Sequence, residues 1–532
     1  MRISKLLTVA LGATFLTTFA CALTSAEARS LKWARGADAL TLDPHGQNEG
    51  PTIAFNHQVY ETLVARDNAH KLVPGLAVSW RLVDPTTWEF KLRQGVKFHG
   101  GESFTADDVV FSYQRALAPT SDYKGYLASV KEIVKVDDHT VQLKTSGPNP
   151  LVADNLTSVF IMSKTWAEAN NATKPQDFKN REENFAVRNA NGTGPFVLVS
   201  REPDVKTVVK RNEAYWGRGE VPLEVTELVL TTIKQDATRV AALLSGEVDV
   251  VQDVPVQDIE RLKGSPSLRV TEGPENRSIF FGFDVGSAEL ASSDVKGKNP
   301  FADVRVRQAV NMAINRQAIQ RVVMRGQAVV AGSIVGPFVN GYKKEYDSVP
   351  PTDIVKAKAL LAAAGYPNGF SVSLHCPNDR YLNDEAICQA AVGMLGQAGI
   401  KINLISQSKS LHFPTLQNLK SDFFLLGWGV PTYDSDYIFS YLYHTREGAR
   451  GGWNSTRYSN AEIDKQIQSL STETDKGKRD ATITAIWDKL LADQVYAAIH
   501  HQMIAHAMKG EIDVPVRTDN IIFFKNVAFR KS

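Results

Sequence analysis

Segments with the two-residue period of a strand and the 3.6-residue period of a helix alternate along almost the whole chain, and no linker separates them. Trp88, Phe90 and Leu92 alternate with Glu89, Lys91 and Arg93, which predicts a half-buried strand. Thr105 opens a capping box with Asp108, and an apolar-periodic helix follows to Ala116. Strands are predicted over 225–233 and 248–251, with a helix over 237–244 between them. Helical spacing recurs at Val306, Ala309, Val310, Ala313 and Ile314 after Asp303. It recurs again at Ile354, Ala357, Leu360, Leu361 and Ala364 after Asp353, ending at Gly365, which suits a left-handed cap. Strands over 370–374 and 401–405 flank another helix, and an apolar strand covers 423–426. This interleaving predicts an α/β fold with much parallel pairing. The chain is also too long for one core, which stops growing at roughly 250–300 residues. With no internal repeat and no Pro/Gly/Ser-rich tract, its domains join by short crossings, or the chain passes between them more than once.

The N-terminus has the layout of a secretory signal peptide. Arg2 and Lys5 precede an apolar run over 6–23, and Ala26-Glu27-Ala28 forms a cleavage pattern. The run is too short and too rich in Thr and Ala for a membrane span, and none follows, so a soluble periplasmic protein starting near Arg29 is expected. A lipoprotein reading, with lipid on Cys21, fits the preceding Thr18, Phe19 and Ala20 poorly. Removal of Cys21 leaves Cys376 and Cys388, which in an oxidising compartment read as one disulfide; the alternative is two buried thiols that never meet. Lys and Arg number 60 against 58 Asp and Glu, with no basic stripe, which argues against nucleic acid as a partner. The H-E-x-x-H, G-x-S-x-G, Walker A and G-x-G-x-x-G patterns are absent, so no catalytic residue, cofactor or metal ligand is assigned and no enzyme is expected. His500, His501 and His506 form the densest histidine group, but successive histidines on one element cannot face the same way.

The strings LVPGLAVSW at 72–80, WEFKLRQGVKFH at 88–99 and GESFTADDVVFS at 101–112 resemble the signature region of the family 5 extracellular solute-binding proteins, the dipeptide and oligopeptide receptors of ABC importers. Further blocks match in the family's order: TLDPH at 41–45, NGTGP at 191–195, NEAYWG at 212–217, GEVD at 246–249, VRVRQAV at 304–310, AKALLAAAGY at 357–366 and YSNAEID at 458–464. Each is weak alone; together they span nearly the whole mature chain. The resemblance implies a two-lobed periplasmic-binding-protein fold of type II, in the large peptide-binding class, with two crossing strands between the lobes. It places a discontinuous larger lobe at 29–290 plus 505–532, an added subdomain at about 76–189, and a smaller lobe at 291–504. It implies a monomeric receptor that takes a short peptide or similar zwitterionic solute and delivers it to the membrane subunits of an ABC permease. The alternatives are an opine-like conjugate, a nickel chelate or haem as ligand, or a sensing role.

The family's Gly-Trp loop reads GWGVPTYDSD at 427–436, just past the predicted strand over 423–426, and ligands of open α/β sheets bind at strand ends. Trp428 either offers a flat apolar wall, beside Gly429 and Tyr433, or packs in the core. Asp434 and Asp436 either neutralise a ligand ammonium or cap the next helix. Dipeptide-type members commonly carry an aspartate three residues past this Trp; here Pro431 stands there, with neither charge nor N–H. Arg380, between the two cysteines, is a candidate carboxylate partner because its rigid fork suits bidentate pairing. The loop over 45–51, with His45 and Asn48, is a candidate for the cleft wall of the larger lobe.

Overall fold

The computed structural model describes residues 29–530, and the expected signal peptide over 1–28 lies outside the described residues. Among the described residues no helix is long and apolar enough to cross a membrane. One mixed eleven-stranded sheet runs through both lobes. Its centre is a pair of long antiparallel strands, Leu268–Phe283 and Tyr496–Lys509. On one flank stand Phe423–Gly429, Phe370–Pro377 and Ile400–Gln407. On the other stand Val250–Gln252, Ser30–Arg35, Glu227–Thr232, Lys206–Arg211 and Phe196–Glu202.

The two flanks hold different halves of the central pair. Phe423–Gly429 pairs with Arg277 to Phe283, whereas Val250–Gln252 pairs with His506 to Met508. Between these halves the central register slips, from Pro274 to Ser278 and again from Ile279 to Phe280. Pro274 has no N–H to give to the ladder. The sheet is therefore weakest where the chain crosses between lobes, and β-bulges are a usual device for bending a strand.

The local signals act as expected. Helix Ala106–Ala116 starts at Thr105, whose backbone N donates to Asp108 Oδ2 at 2.9 Å. Helices Val304–Ala313 and Ile354–Ala363 start where Asp303 and Asp353 accept from backbone N–H groups, and Gly365, just past the second helix, has φ of +94°. Pairing directions differ from the expectation. Parallel ladders are confined to the two neighbours of Ser30–Arg35 and the two neighbours of Phe370–Pro377. The other ladders between described strands are antiparallel, including the separate four-stranded sheet of Ala77–Asp84, Thr87–Leu92, Thr140–Thr145 and Val130–Asp137. A two-residue period fixes which face is buried but says nothing about the direction of the neighbour.

Phe283 stacks on Phe423 with centroids 5.3 Å apart, and Phe301 packs on both. Each such buried ring contributes about 1.5–3 kcal/mol relative to exposure. Cys376 and Cys388 form a disulfide. It joins the end of Phe370–Pro377 to helix Asp384–Ala398 and closes the segment that carries Arg380.

Candidate ligand-binding site

Residues of both lobes enclose a cavity in which the centres of water-sized bodies have about 90 Å³, so its outline extends a water radius further on every side. Strand Phe423–Gly429 delivers its far end to this cavity. Gly427 is needed there: a Cβ would stand 2.6 Å from both the Tyr381 ring and Ile279, and the Tyr381 hydroxyl donates to Gly427 O at 3.1 Å. Trp428 lines the cavity, stacked on Tyr437 at 5.6 Å and meeting Trp453 edge-on. Its indole Nε1 is buried and has no hydrogen-bond partner among the described residues, which leaves a donor for an acceptor in the cavity. Trp428 thus joins the two readings, as a wall residue that is also part of an aromatic core.

Charge enters from both lobes. Glu49 caps helix Gly50–Val59: its Oε1 accepts from Thr52 N at 3.2 Å and Thr52 Oγ1 at 2.8 Å. The same oxygen takes a 3.0 Å bond from Lys409 Nζ, on helix Lys409–Gln417, 360 positions away, and Lys409 also donates to Asp38 O. Glu49 Oε2 accepts no hydrogen bond, although Arg380 Nε stands 3.4 Å away. Burial alone would raise the Glu49 carboxyl, but Lys409 and Arg380 outweigh it and hold the group ionised below its usual range. Arg380 and Arg277 both lie over the Tyr381 ring, at 4.6 and 5.9 Å. Arg277 Nε is paired with Glu275 Oε1 at 2.7 Å.

Of the residues expected at the site, Trp428, Gly429, Arg380 and Asn48 line the cavity. Asn48 spans the cleft, donating from Nδ2 to the Tyr437 hydroxyl at 2.9 Å. Tyr433 lies in an adjoining chamber of about 470 Å³ that shares Ile53, Pro431, Asp519 and Ile521 with the first. Its hydroxyl is within bonding distance of His70 Nδ1 and Thr518 Oγ1, at 2.7 and 3.0 Å.

Three expectations are corrected. Asp434 is bound by both arms of Arg479, at 2.7 and 2.8 Å, and caps Asp436 N, so its carboxylate is taken by the lobe's own fold. Asp436 is buried beside Asp434 and away from the cavity; burial pushes its carboxyl up to about 6. His45 is fully buried against Phe160 O at 3.0 Å and Arg115, which is itself clamped by Asp43. Burial lowers the His45 imidazole to about 3, so it is a neutral core residue. The histidines at 500, 501 and 506 do not converge either. His501 bonds Ser278 and Asp347, while the rings of His500 and His506 are separately buried. No group of three or more potential metal ligands occurs among the described residues.

The sequence reading held Glu49 only as an unnamed member of the loop over 45–51 and passed over Arg277, Glu275, Lys409, Tyr437 and Trp453. Signals for two existed. An acidic residue just before Gly50-Pro51 is a helix-start pattern, and Arg277, two residues after Glu275, is a charge at the entry to the apolar string SIFFGF. Lys409 had none, because its partners lie 360 and 371 positions away.

Comparison with known proteins agrees with this architecture. The family model described as bacterial extracellular solute-binding proteins, family 5 middle, matches residues 71–450. Heme-binding protein A of Haemophilus influenzae is 30% identical over 453 residues, covering 80% of this chain and 78% of that protein. The dipeptide-binding protein of Escherichia coli is 28% identical over 483 residues, covering 86% of each. The ABC transporter-associated periplasmic binding protein DppA of Helicobacter pylori, solved with the peptide STSA, superposes with a TM-score of 0.82 at 23% identity, covering 94% of this chain and 98% of that one. With a matching family model over most of its length, and an enclosed site between two lobes, this chain belongs to the bacterial extracellular solute-binding proteins of family 5.

Proposed function

We propose that this protein is the exported receptor of an ABC importer, and that it captures a short peptide or similar small zwitterionic solute between its lobes without doing chemistry on it. The observation that carries this reading is that both signs of charge border one cavity: Arg380 and Glu49 meet there, with Arg380 Nε 3.4 Å from a Glu49 Oε2 that accepts no hydrogen bond, and the Trp428 Nε1 donor is free beside them. A peptide's carboxylate and ammonium match these two poles. Glu49 supplies the carboxylate that position 431 lacks. The adjoining chamber gives room for a ligand longer than two residues. The relatives' names include both dipeptide and haem binding, and the charged groups bordering the cavity favour the peptide.

Closure drives the cycle. Lys409–Glu49, Asn48–Tyr437 and Trp453 Nε1–Asp122 (3.1 Å) each join opposite sides of the cleft. A ligand that touches both walls favours the state in which these clasps form, because only there does it make all its contacts. Bending is placed at the slipped register of the crossing strands, near 274–278 and 501–503. The closed face then presents the solute to the permease. Cleavage near Ala28, release into the periplasm and a monomeric state complete the reading. A thermal-shift screen of residues 29–532 against di- to pentapeptides, opine-like conjugates, nickel chelates and haem tests it. A ligand at 100 times its Kd adds about 2.7 kcal/mol. A raised midpoint with free peptides supports the proposal; a response to haem or nickel chelates alone overturns it.

A further inference from the structure

We infer that the ligand carries two carboxylates and one amine, for a net charge of −1, and that Arg277 together with Arg380 selects it. This rests on reading the cavity as the ligand site. Arg277 and Arg380 come from different elements, the crossing strand Leu268–Phe283 and the disulfide-closed segment after Phe370–Pro377, yet they converge. An atom at the Cβ position of Gly50 would stand 2.8 Å from a terminal nitrogen of Arg380 and 3.3 Å from one of Arg277, so these nitrogens are at most about 6 Å apart. Gly429 makes room on the other side, its Cβ position being 3.2 Å from the same Arg277 nitrogen. The terminal nitrogens of both guanidinium groups make no hydrogen bond among the described residues, and both groups border the cavity. Two forks whose Nε atoms face Glu275 and Glu49 but whose terminal nitrogens are free, and so close that they repel, are arranged for anionic groups placed between or beside them.

The charge count points to the same class. Arg277, Arg380, Glu49 and Glu275 border the cavity, and Lys409 is buried against Glu49 behind that wall, so the five together leave a surplus of one positive charge. Asp519 also borders the cavity but is paired with Arg517 at 2.6 Å, and Asp384, behind the Arg380 backbone, accepts from Arg380 N and Tyr381 N. A zwitterion with one carboxylate leaves the surplus in place. A ligand with two carboxylates and an ammonium cancels it, with Glu49 Oε2 left to accept from the ammonium. Acidic dipeptides and N-substituted amino dicarboxylic acids have this chemistry.

Isothermal titration calorimetry decides the matter with Ala-Glu and Glu-Ala, each against its amide isostere, Ala-Gln and Gln-Ala. The expected result is that at least one acidic peptide binds roughly tenfold or more tighter than its isostere, the scale of one desolvated charge-assisted pair. Arg277→Gln is expected to erase that preference, and a circular-dichroism spectrum and thermal midpoint matching wild type show that the variant is folded. Arg277→Lys keeps the charge and loses the fork, so it lowers the preference even if Arg277→Gln does not fold. Equal affinity for acidic and neutral peptides, or a preference that survives in Arg277→Gln, overturns the inference. If no peptide binds, the peptide reading fails by itself, and N-alkylglutamates without a peptide bond are titrated instead. Arg277-dependent binding of these sustains the dicarboxylate inference; no binding of any dicarboxylate at about 1 mM, the weak end of useful affinity, overturns it too.

Discussion

Lys409→Met removes a charge that is buried against Glu49 across the cleft. In the structure Lys409 Nζ donates to Glu49 Oε1 and to Asp38 O, and both side chains of the pair are nearly inaccessible, at 4% and 3%. Burial pushes the Lys409 ammonium down and the Glu49 charge pushes it back up, so the pair is stable only while both members are present. Breaking a buried pair costs about 3–5 kcal/mol because the remaining charge keeps its desolvation penalty. Arg380 stays 3.4 Å from Glu49 and absorbs part of that, which places the cost near the lower bound. The penalty exists only when the lobes are closed, since opening returns Glu49 to water. At about 1.4 kcal/mol per tenfold, ligand affinity is expected to fall roughly 100-fold. The thermal midpoint of the ligand-free protein is expected to move little. Calorimetry and thermal unfolding on the same preparation check both halves. An affinity within about threefold of wild type refutes the reasoning.

Trp428→Phe removes the unpartnered Nε1 donor but keeps a ring against Tyr437; ligand affinity is expected to drop about tenfold by calorimetry while stability changes by less than about 1.5 kcal/mol. Cys376→Ser with Cys388→Ser opens the segment around Arg380; urea unfolding is expected to show a loss of about 2–3 kcal/mol, with weaker ligand binding. Acid is expected to destabilise the fold. Burial holds His45, His57, His412 and His500 near 3 and His99 and His506 near 4, so below pH 6.5 the unfolded chain gains protons that the folded chain refuses. Each costs about 2 kcal/mol by pH 5. Asp122 and Asp436, raised to about 6, and Asp384, raised to about 7, act the other way: folded, they take protons first, and they return about 1–2 kcal/mol each as pH falls from 7 to 5. Six outweigh three, so the unfolding midpoint is expected to fall between pH 7 and pH 5; an unchanged or higher midpoint contradicts this balance.

The sequence made local elements legible where a side chain bonds its own neighbourhood. Thr105, Asp303 and Asp353 announce helices that begin one residue later. The family blocks carried the two-lobed class, which local patterns could not. Pairing direction stayed hidden, because side chains alternate the same way along Ala77–Asp84 in its antiparallel ladder and along Phe370–Pro377 in its parallel ones. At the site, Trp428 and Arg380 were legible as unusual residues at a strand end and in a disulfide-closed segment. Asp434 misled for the opposite reason: it looks like a free carboxylate until Arg479, 45 positions on, folds back onto it. Glu49 does two jobs at once, capping a helix and facing the cavity, and only the first is written locally.

The central claim is that a solute is captured by closure of two lobes. It is tested most directly by the distance across the cleft mouth, where Asn418 Nδ2 meets Lys179 O at 3.5 Å. Asn180 and Lys420 are exposed neighbours of that contact, and in protein spanning 29–532 the two cysteines, Cys376 and Cys388, are bonded to each other, so Asn180→Cys and Lys420→Cys take spin labels cleanly. The account predicts a broad, long distance distribution without ligand that collapses to one short distance when a binding peptide is added. Saturable binding with no change in that distribution would contradict it.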